Sequence, residues 1–248
     1  MHDYSDRTTE HKVLASSKNA TRPPSSFTCV PLTSDDCEQT ARIYMEVFLR
    51  DETTSRRHAP DPVRFLPYTR FYVDFCRRKQ LSFIARDQEK DEVIGFILCS
   101  DLVTDWDAEG TLMTAFLSHF HETVVAIDEL ERRCFDLGTI PPGTFMHVFQ
   151  IGVTWEFRGL SVSTTLIRRV LAHAREQGFH QVIADCTSQE SCHSFERCGF
   201  YEVGRTAYDT ISINGTRFFT GLEGGISLMA RDLLVSGESL LSPEEKDT

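Results

Sequence analysis

The residues best equipped for chemistry cluster around one loop. Arg158-Gly159-Leu160-Ser161-Val162-Ser163 follows an apolar, β-rich stretch, 144–154 (TFMHVFQIGVT), and runs into an amphipathic segment where Leu160, Ile167, Leu171 and Ala174 share one face. A loop that ends in a helix N-terminus aims several unbonded backbone N–H groups one way, an arrangement that binds phosphate; an ordinary strand-to-helix connection is the rival reading. Glu52, past the first helical run, is a solvated acid or a carboxylate able to serve as a general base. His147 is a rival base. Strand alternation puts its ring on the face of Phe149 and Ile151, where a packed histidine is the plainer reading. Tyr68, Phe71 and Tyr72, with Phe65 and Phe75, form an aromatic stripe that could stack on an aryl group or simply fill a core. Thr187-x-x-Glu190 has the spacing of a capping box, which needs no catalytic role.

These residues need elements to hold them. Phe27 to Leu32 reads as a strand, and Thr33, Ser34 and Asp35 supply capping side chains for a helix bearing Cys37, Ala41, Tyr44 and Phe48 on one face. Segments 81–87 and 92–101 make a β-hairpin. An insert, 102–143, carries a helix from about Leu112 to Phe135 and ends at Pro141-Pro142-Gly143. After the loop and its helix come a buried strand (181–186), a short helix from Ser188 to Cys198, a strand (200–206), a type I′ turn at Asn214-Gly215 and a last strand (225–232). The order is mixed α/β around one sheet.

Composition narrows the function. With 26 basic and 37 acidic residues the net charge is −11, so a nucleic-acid partner is not expected. No apolar run suits a bilayer and no signal peptide is visible, so the expectation is a cytoplasmic protein with no membrane partner. The eight cysteines contain no C-x-x-C pair and read as reduced thiols; His119 and His121 have no matching ligand pair, so no metal is expected. Residues 1–26 and 236–248 are too polar to fold, leaving one domain at 27–235.

The loop, Cys186-Thr187-Ser188-Gln189-Glu190-Ser191, Phe195-Glu196-Arg197-Cys198-Gly199-Phe200 and Gly225-Ile226-Ser227-Leu228-Met229-Ala230-Arg231 together resemble the GCN5-related N-acetyltransferases (GNAT). They are most similar to the insect-type arylalkylamine, or dopamine, N-acetyltransferases, and Phe48-Leu49-Arg50-Asp51-Glu52 looks like their F-x-x-D-E-P, with Thr53 in place of proline. The resemblance implies a twisted mixed sheet, splayed at the acetyl-CoA site, with helices on both faces. It implies coenzyme contacts from Ile151, Val153, Arg158, Gly159, Leu160, Ser161, Val162 and Ser163, with the Val153 N–H polarising the thioester carbonyl. By the same resemblance Glu52 is the base, Ser191 the proton donor to coenzyme A, Thr187 its helper, and Tyr68, Phe71 and Tyr72 part of the acceptor pocket.

The implied partners are a coenzyme A thioester and a small primary amine, in a monomer or a dimer. Another acceptor (an amino acid, an aminoglycoside, a protein amine) or a longer acyl donor stays open on this fold. Ser161 and Ser163 replace the family's glycine or alanine, and Phe195 replaces a common tyrosine acid. These departures leave room for an inactive relative that binds coenzyme or a partner protein.

Overall fold

A computed structural model describes residues 26–233; the two tails expected from composition, apart from Ser26, lie outside them. Ser26 already belongs to the fold, because its carbonyl accepts from Gln88 N at 3.0 Å.

Seven strands form one mixed sheet in the order β1-β2-β3-β4-β5-β7-β6. β1 (Phe27–Pro31), β2 (Phe83–Asp87), β3 (Val93–Asp101) and β4 (Phe145–Val153) run antiparallel in sequence. β5 (Gln181–Cys186) lies parallel to β4, which requires a crossover. Helix α6 (Val162–Glu176) provides it. β6 (Tyr201–Ala207) and β7 (Gly225–Asp232) complete the sheet, β7 between β5 and β6. Asn214 and Gly215, at φ 50° and 79°, adopt the left-handed pair that a type I′ turn requires, closed by the bridge Ile213↔Thr216.

Two features of β4 set up everything else. Its pairing with β5 covers only Phe145↔Gln181 to Val148↔Ala184, so beyond that point the two strands separate. On the other side, Leu98 of β3 faces Gln150 while Cys99 faces Val148, so β4 carries one extra residue, a bulge at Phe149. A one-residue slip reverses the faces of all that follows. Met146 and Val148 lie in the core beneath α6, and Ile151 and Val153 rejoin it beyond the bulge. The expectation that Ile151 shares the face of His147 is thereby corrected. Gly152 turns the other way, where an added Cβ would meet the Phe96 ring at 2.6 Å.

The opposite face of the sheet carries α1 (Cys37–Asp51), the short α2 (Ser55–His58), α3 (Pro62–Arg78), α4 (Thr111–Ser118) and α5 (His121–Cys134). Helix α1 buries Ala41, Tyr44 and Val47 against this face. Its start differs from expectation, since none of Thr33, Ser34 and Asp35 caps it. The Asp36 carboxylate instead turns back to Thr33 N (2.9 Å), Thr33 Oγ1 (2.6 Å) and Arg86. Helix α3 begins with Asp61 accepting from Val63 N and Arg64 N, followed by Pro62 where a missing N–H costs nothing. The insert is two helices, not one. Phe120, with non-helical φ −125° and ψ 29°, separates them and sends its ring onto Phe48, Phe65 and Phe116. Burying that ring outweighs the one turn of helix given up.

The last helix, α7 (Gln189–Glu196), packs beside α6, so helices cover both faces of the sheet. All eight cysteines are free thiols. Among the described residues no helix is long and apolar enough to cross a membrane.

Candidate active site

On the α6 side of β4, strand end, loop and helix start converge. Thr154 N donates to Ile94 O at 2.9 Å, which makes Val153 and Gly95 a non-hydrogen-bonded pair. The N–H and C=O of Val153, and by the same alternation those of Ile151, therefore point away from β3 into the gap where β5 has left. Arg158 Nε donates to Val153 O at 3.3 Å. Arg158 also pairs with Asp51, and its guanidinium lies 5.1 Å from the exposed Trp155 ring.

Gly159 and Ser161 both have positive φ, 76° and 61°. The left-handed turn at Ser161 suits the glycine it replaces and costs a residue with a Cβ about 1 kcal/mol. The first intrahelical bond is Thr165 N to Ser161 O at 3.0 Å, and no side chain caps α6, so the N–H groups of Val162, Ser163 and Thr164 precede the helical ladder. Gly159, Leu160 and Ser161 are exposed and Val162 is buried. Ser163 Oγ lies 3.5 Å from Ser194 Oγ, tying α6 to α7.

Across the gap, the start of α7 is capped one residue later than expected. Ser188, not Thr187, is the N-cap: Ser191 N donates to Ser188 Oγ at 3.2 Å, and Ser188 N donates back to Ser191 Oγ at 3.3 Å. Ser191 also donates to Ser188 O at 2.8 Å, so its hydroxyl sits in the box. The Thr187 carbonyl accepts from Tyr208 Oη at 2.6 Å. Beside them Cys192 is brought down to about 7, chiefly by a hydrogen bond from the Cys186 thiol, against burial and with help from Ser227 and Arg205. The Cys186 thiol is pushed well up by that bond and by burial.

On the other side of β4 lies a cavity of about 470 Å³. Tyr44, Phe48 and Tyr72 form one wall, Phe149 and Gln150 the bulged floor, and Phe116, Phe120 and Ile127 a roof made by the insert. Tyr72 Oη donates to Gln150 Oε1, fixing the bulge against α3. Of the aromatic stripe on α3 only Tyr72 reaches this wall. Tyr68 packs at a tilt against His119 (5.0 Å), and Phe71 packs against the α1–α3 core.

Five carboxylates (Glu52, Asp105, Asp128, Glu131, Asp185) and no lysine or arginine occur among the lining residues. Glu52 ends α1, and its carboxylate caps α2, accepting from Thr54 N (3.0 Å), Thr54 Oγ1 (2.8 Å) and Ser55 N. Thr187 is on the wall as well, while Ser191 is not among the lining residues.

His147 is no ordinary packed histidine. Its Nε2 lies 2.6 Å from Asp185 Oδ2 and its Nδ1 3.6 Å from Glu131 Oε1, all three side chains at least nine-tenths buried. Burial alone would lower the imidazole pKa, but the two carboxylates more than offset it, and the net shift is upward. Burial, then the Asp185 charge, push the Glu131 carboxyl up to about 8. Neither Glu131 nor Asp185 was singled out by sequence: their partners lie 16 and 38 residues away, and no motif joins them. The expectation that no metal-ligating set exists rested on local spacing, and these three side chains do offer donor atoms within 4.8 Å of one another. Two of them already bond to each other at 2.6 Å, closer than two ligands of one metal ion sit, and we assign no metal.

Residues 42–200 match the family model described as acetyltransferase (GNAT) family. Among solved structures the chain is similar to a protein of the yellow fever mosquito Aedes aegypti assigned as arylalkylamine N-acetyltransferase 7, with TM-score 0.70 and 18% identity over 84% of this chain and 87% of that one. It is similar to Aedes aegypti arylalkylamine N-acetyltransferase 2 (0.65, 16%, 84% and 99%) and to a Drosophila melanogaster polyamine N-acetyltransferase that forms N-acetylagmatine (0.59, 16%, 84% and 100%). No curated protein sequence matches the chain. At these identities the structural likeness is one of fold.

Proposed function

Because the chain belongs to the acetyltransferase (GNAT) family of acyl-CoA-dependent N-acyltransferases, we propose that it transfers acetyl from acetyl-CoA to a small cationic amine by direct attack in a ternary complex. The observation that carries this reading is the meeting of two spaces at the bulged, splayed β4. Unpaired N–H groups at Val162 to Thr164 and the Arg158 guanidinium open on one side, an acidic aromatic cavity on the other.

In this mechanism the pyrophosphate lies at the α6 N-terminus, held by the main chain of 159–163 and by Arg158, which leaves Asp51 for it. The free edge of β4 at Ile151 and Val153 pairs with the pantetheine arm as an added strand would. The Val153 N–H then donates to the thioester oxygen as charge builds there. The amine enters the cavity, where the Glu52 carboxylate orients its ammonium and Tyr44, Phe48 and Tyr72 face its organic part. Ser191, turning away from the Ser188 carbonyl, returns a proton to the departing thiolate, with Thr187 beside it.

The aromatic wall favours an arylalkylamine as acceptor. The five carboxylates favour a second reading, an amine with more than one positive charge, as for the polyamine enzyme of the same fold. Calorimetric titration with acetyl-CoA, followed by mass-spectrometric detection of acetylated products from aromatic and aliphatic amines, tests both. Micromolar coenzyme binding with an acetylated amine is expected. Absence of coenzyme binding would end the transferase reading. Thiol reagents are unsuitable detectors, because the Cys192 thiol, brought down to about 7, would compete for them.

A further inference from the structure

The acid–histidine–acid cluster lies where the reaction needs a proton acceptor. Asp185 is the first β5 residue beyond the last β4–β5 pair, Val148↔Ala184, so it sits in the fork of the splay. His147 reaches it from β4, and Glu131 comes down from α5 in the insert; all three line the acceptor cavity, as does Thr187 two residues on. Glu131 Oε1 and Asp185 Oδ1 are buried without a hydrogen-bond partner. Two orphaned acceptors of this kind are costly unless a proton or a cation joins them. Their side chains are 10% and 4% exposed and face the cavity the amine would enter. Adjacent buried carboxylates ionise one after the other, and the second gives up its proton only at raised pH.

Resting on the acetyl-transfer reading above, we propose that Glu131, gripped by Asp185 and His147, takes the proton from the acceptor's ammonium group. Glu52 is less suited to that part. Both of its oxygens are committed to Thr54 and Ser55, which leaves it the part of attracting and orienting the amine. The Glu131 carboxyl, at about 8, changes charge where such a base must work. His147 Nε2 holds the Asp185 carboxyl in place behind it at 2.6 Å.

The groups that bear on Glu131 are Asp128 one turn earlier on α5, Asp185 on β5 and His147 on β4, with Cys134 a turn later. Glu52 and Asp105 face the same cavity, whereas Arg133 turns outward to Thr206 of β6.

The step balances. The N–H bond of the ammonium breaks and its proton joins the Glu131 carboxylate. The neutral nitrogen forms the C–N bond as the C–S bond breaks, and the second nitrogen proton ends on the coenzyme thiolate. Glu131 then loses its proton to solvent, so each turnover yields amide, thiol and one proton.

The test is a pH profile of kcat/KM for wild type, Glu131→Gln and Glu131→Asp, with 2-phenylethylamine and its less basic 2,2-difluoro analogue. The expected wild-type profile rises with its midpoint near pH 8 and levels off about one unit above it. Glu131→Gln should lose that limb and about 100-fold in rate with the basic amine. With the analogue, much of which is already neutral, the loss should shrink to severalfold, and Glu131→Asp should keep the limb. A Glu131→Gln enzyme that loses the same factor with both amines, or keeps the limb, overturns the proposal. So does wild-type activity abolished by a chelator and restored by zinc, which would make the cluster a metal site. Product from neither amine in wild type defeats the transferase reading as well, a result distinct from an unaltered variant. Calorimetric acetyl-CoA affinity reports that each variant is folded.

Discussion

The two flanks of β4 are built in opposite ways. The α6 flank is contiguous: strand end, loop and helix N-terminus occupy one run from Phe145 to Glu176, and most of what it offers is main chain. The cavity flank is assembled from α1, α3, the insert, β4 and β5, and what it offers is side chains. A main-chain site tolerates side-chain change, which is how Ser161 and Ser163 can stand where the loop they resemble has glycine or alanine. A side-chain site from five elements is free to change its acceptor while the coenzyme flank stays the same. The difference predicts that damage on one flank leaves the other working.

The heaviest blow falls on the cavity flank. Replacing Asp185 with Asn strips His147 of its partner, and breaking such a buried pair costs about 3–5 kcal/mol, seen as a drop of roughly 10 °C in thermal melting. The pH dependence has a definite sign. Glu131 and His147 both have raised folded pKa values, against 4.5 and 6.5 as reference. Their contribution is therefore complete below those reference values and is lost as pH rises through the folded ones. Melting temperature should fall from pH 5 to pH 9, and Glu131→Gln should flatten the decline. A melting temperature that climbs over this range would contradict the cluster's protonation.

A strand glycine separates the flanks, and its substitution comes next in size. Gly152→Ala puts a methyl group 2.6 Å from the Phe96 ring and 3.2 Å from Val47, for a loss of about 1–3 kcal/mol in chemical denaturation. Smaller effects belong to the coenzyme flank. Ser161→Gly should gain about 1 kcal/mol by relieving the left-handed serine and should tighten acetyl-CoA without changing the acceptor KM. Asp51→Asn frees Arg158 from an ion pair worth at most about 1 kcal/mol and should lower the coenzyme Kd about twofold, read by calorimetry.

How far the sequence could be read follows the same division. The β2–β3 hairpin, the α6 amphipathic face, the Gly159 loop and the type I′ turn were legible, because each depends on residues within a few positions of one another. The bulge at Phe149 was not, since a slip of one residue leaves no mark in an apolar strand, and it put Ile151 on the wrong face. The capping box was displaced by one residue because Thr187 and Ser188 are both good caps, and the main chain chose Ser188. The split of the insert into α4 and α5 depends on where the Phe120 ring could be buried. Glu131 and Asp185 were invisible, being single acids in amphipathic or strand context that become chemical only when His147 stands between them.

The division of labour itself can be tested by filling the cavity. Leu117→Trp, on the roof of the insert, adds bulk where the amine should sit and touches none of the coenzyme loop. The decisive reading is the acceptor kcat/KM of this variant at saturating acetyl-CoA, with the coenzyme Kd measured on the same sample. A fall on the order of 100-fold with an unchanged Kd is expected. Amine acetylation at the wild-type rate would show that the acceptor binds elsewhere and contradict the account.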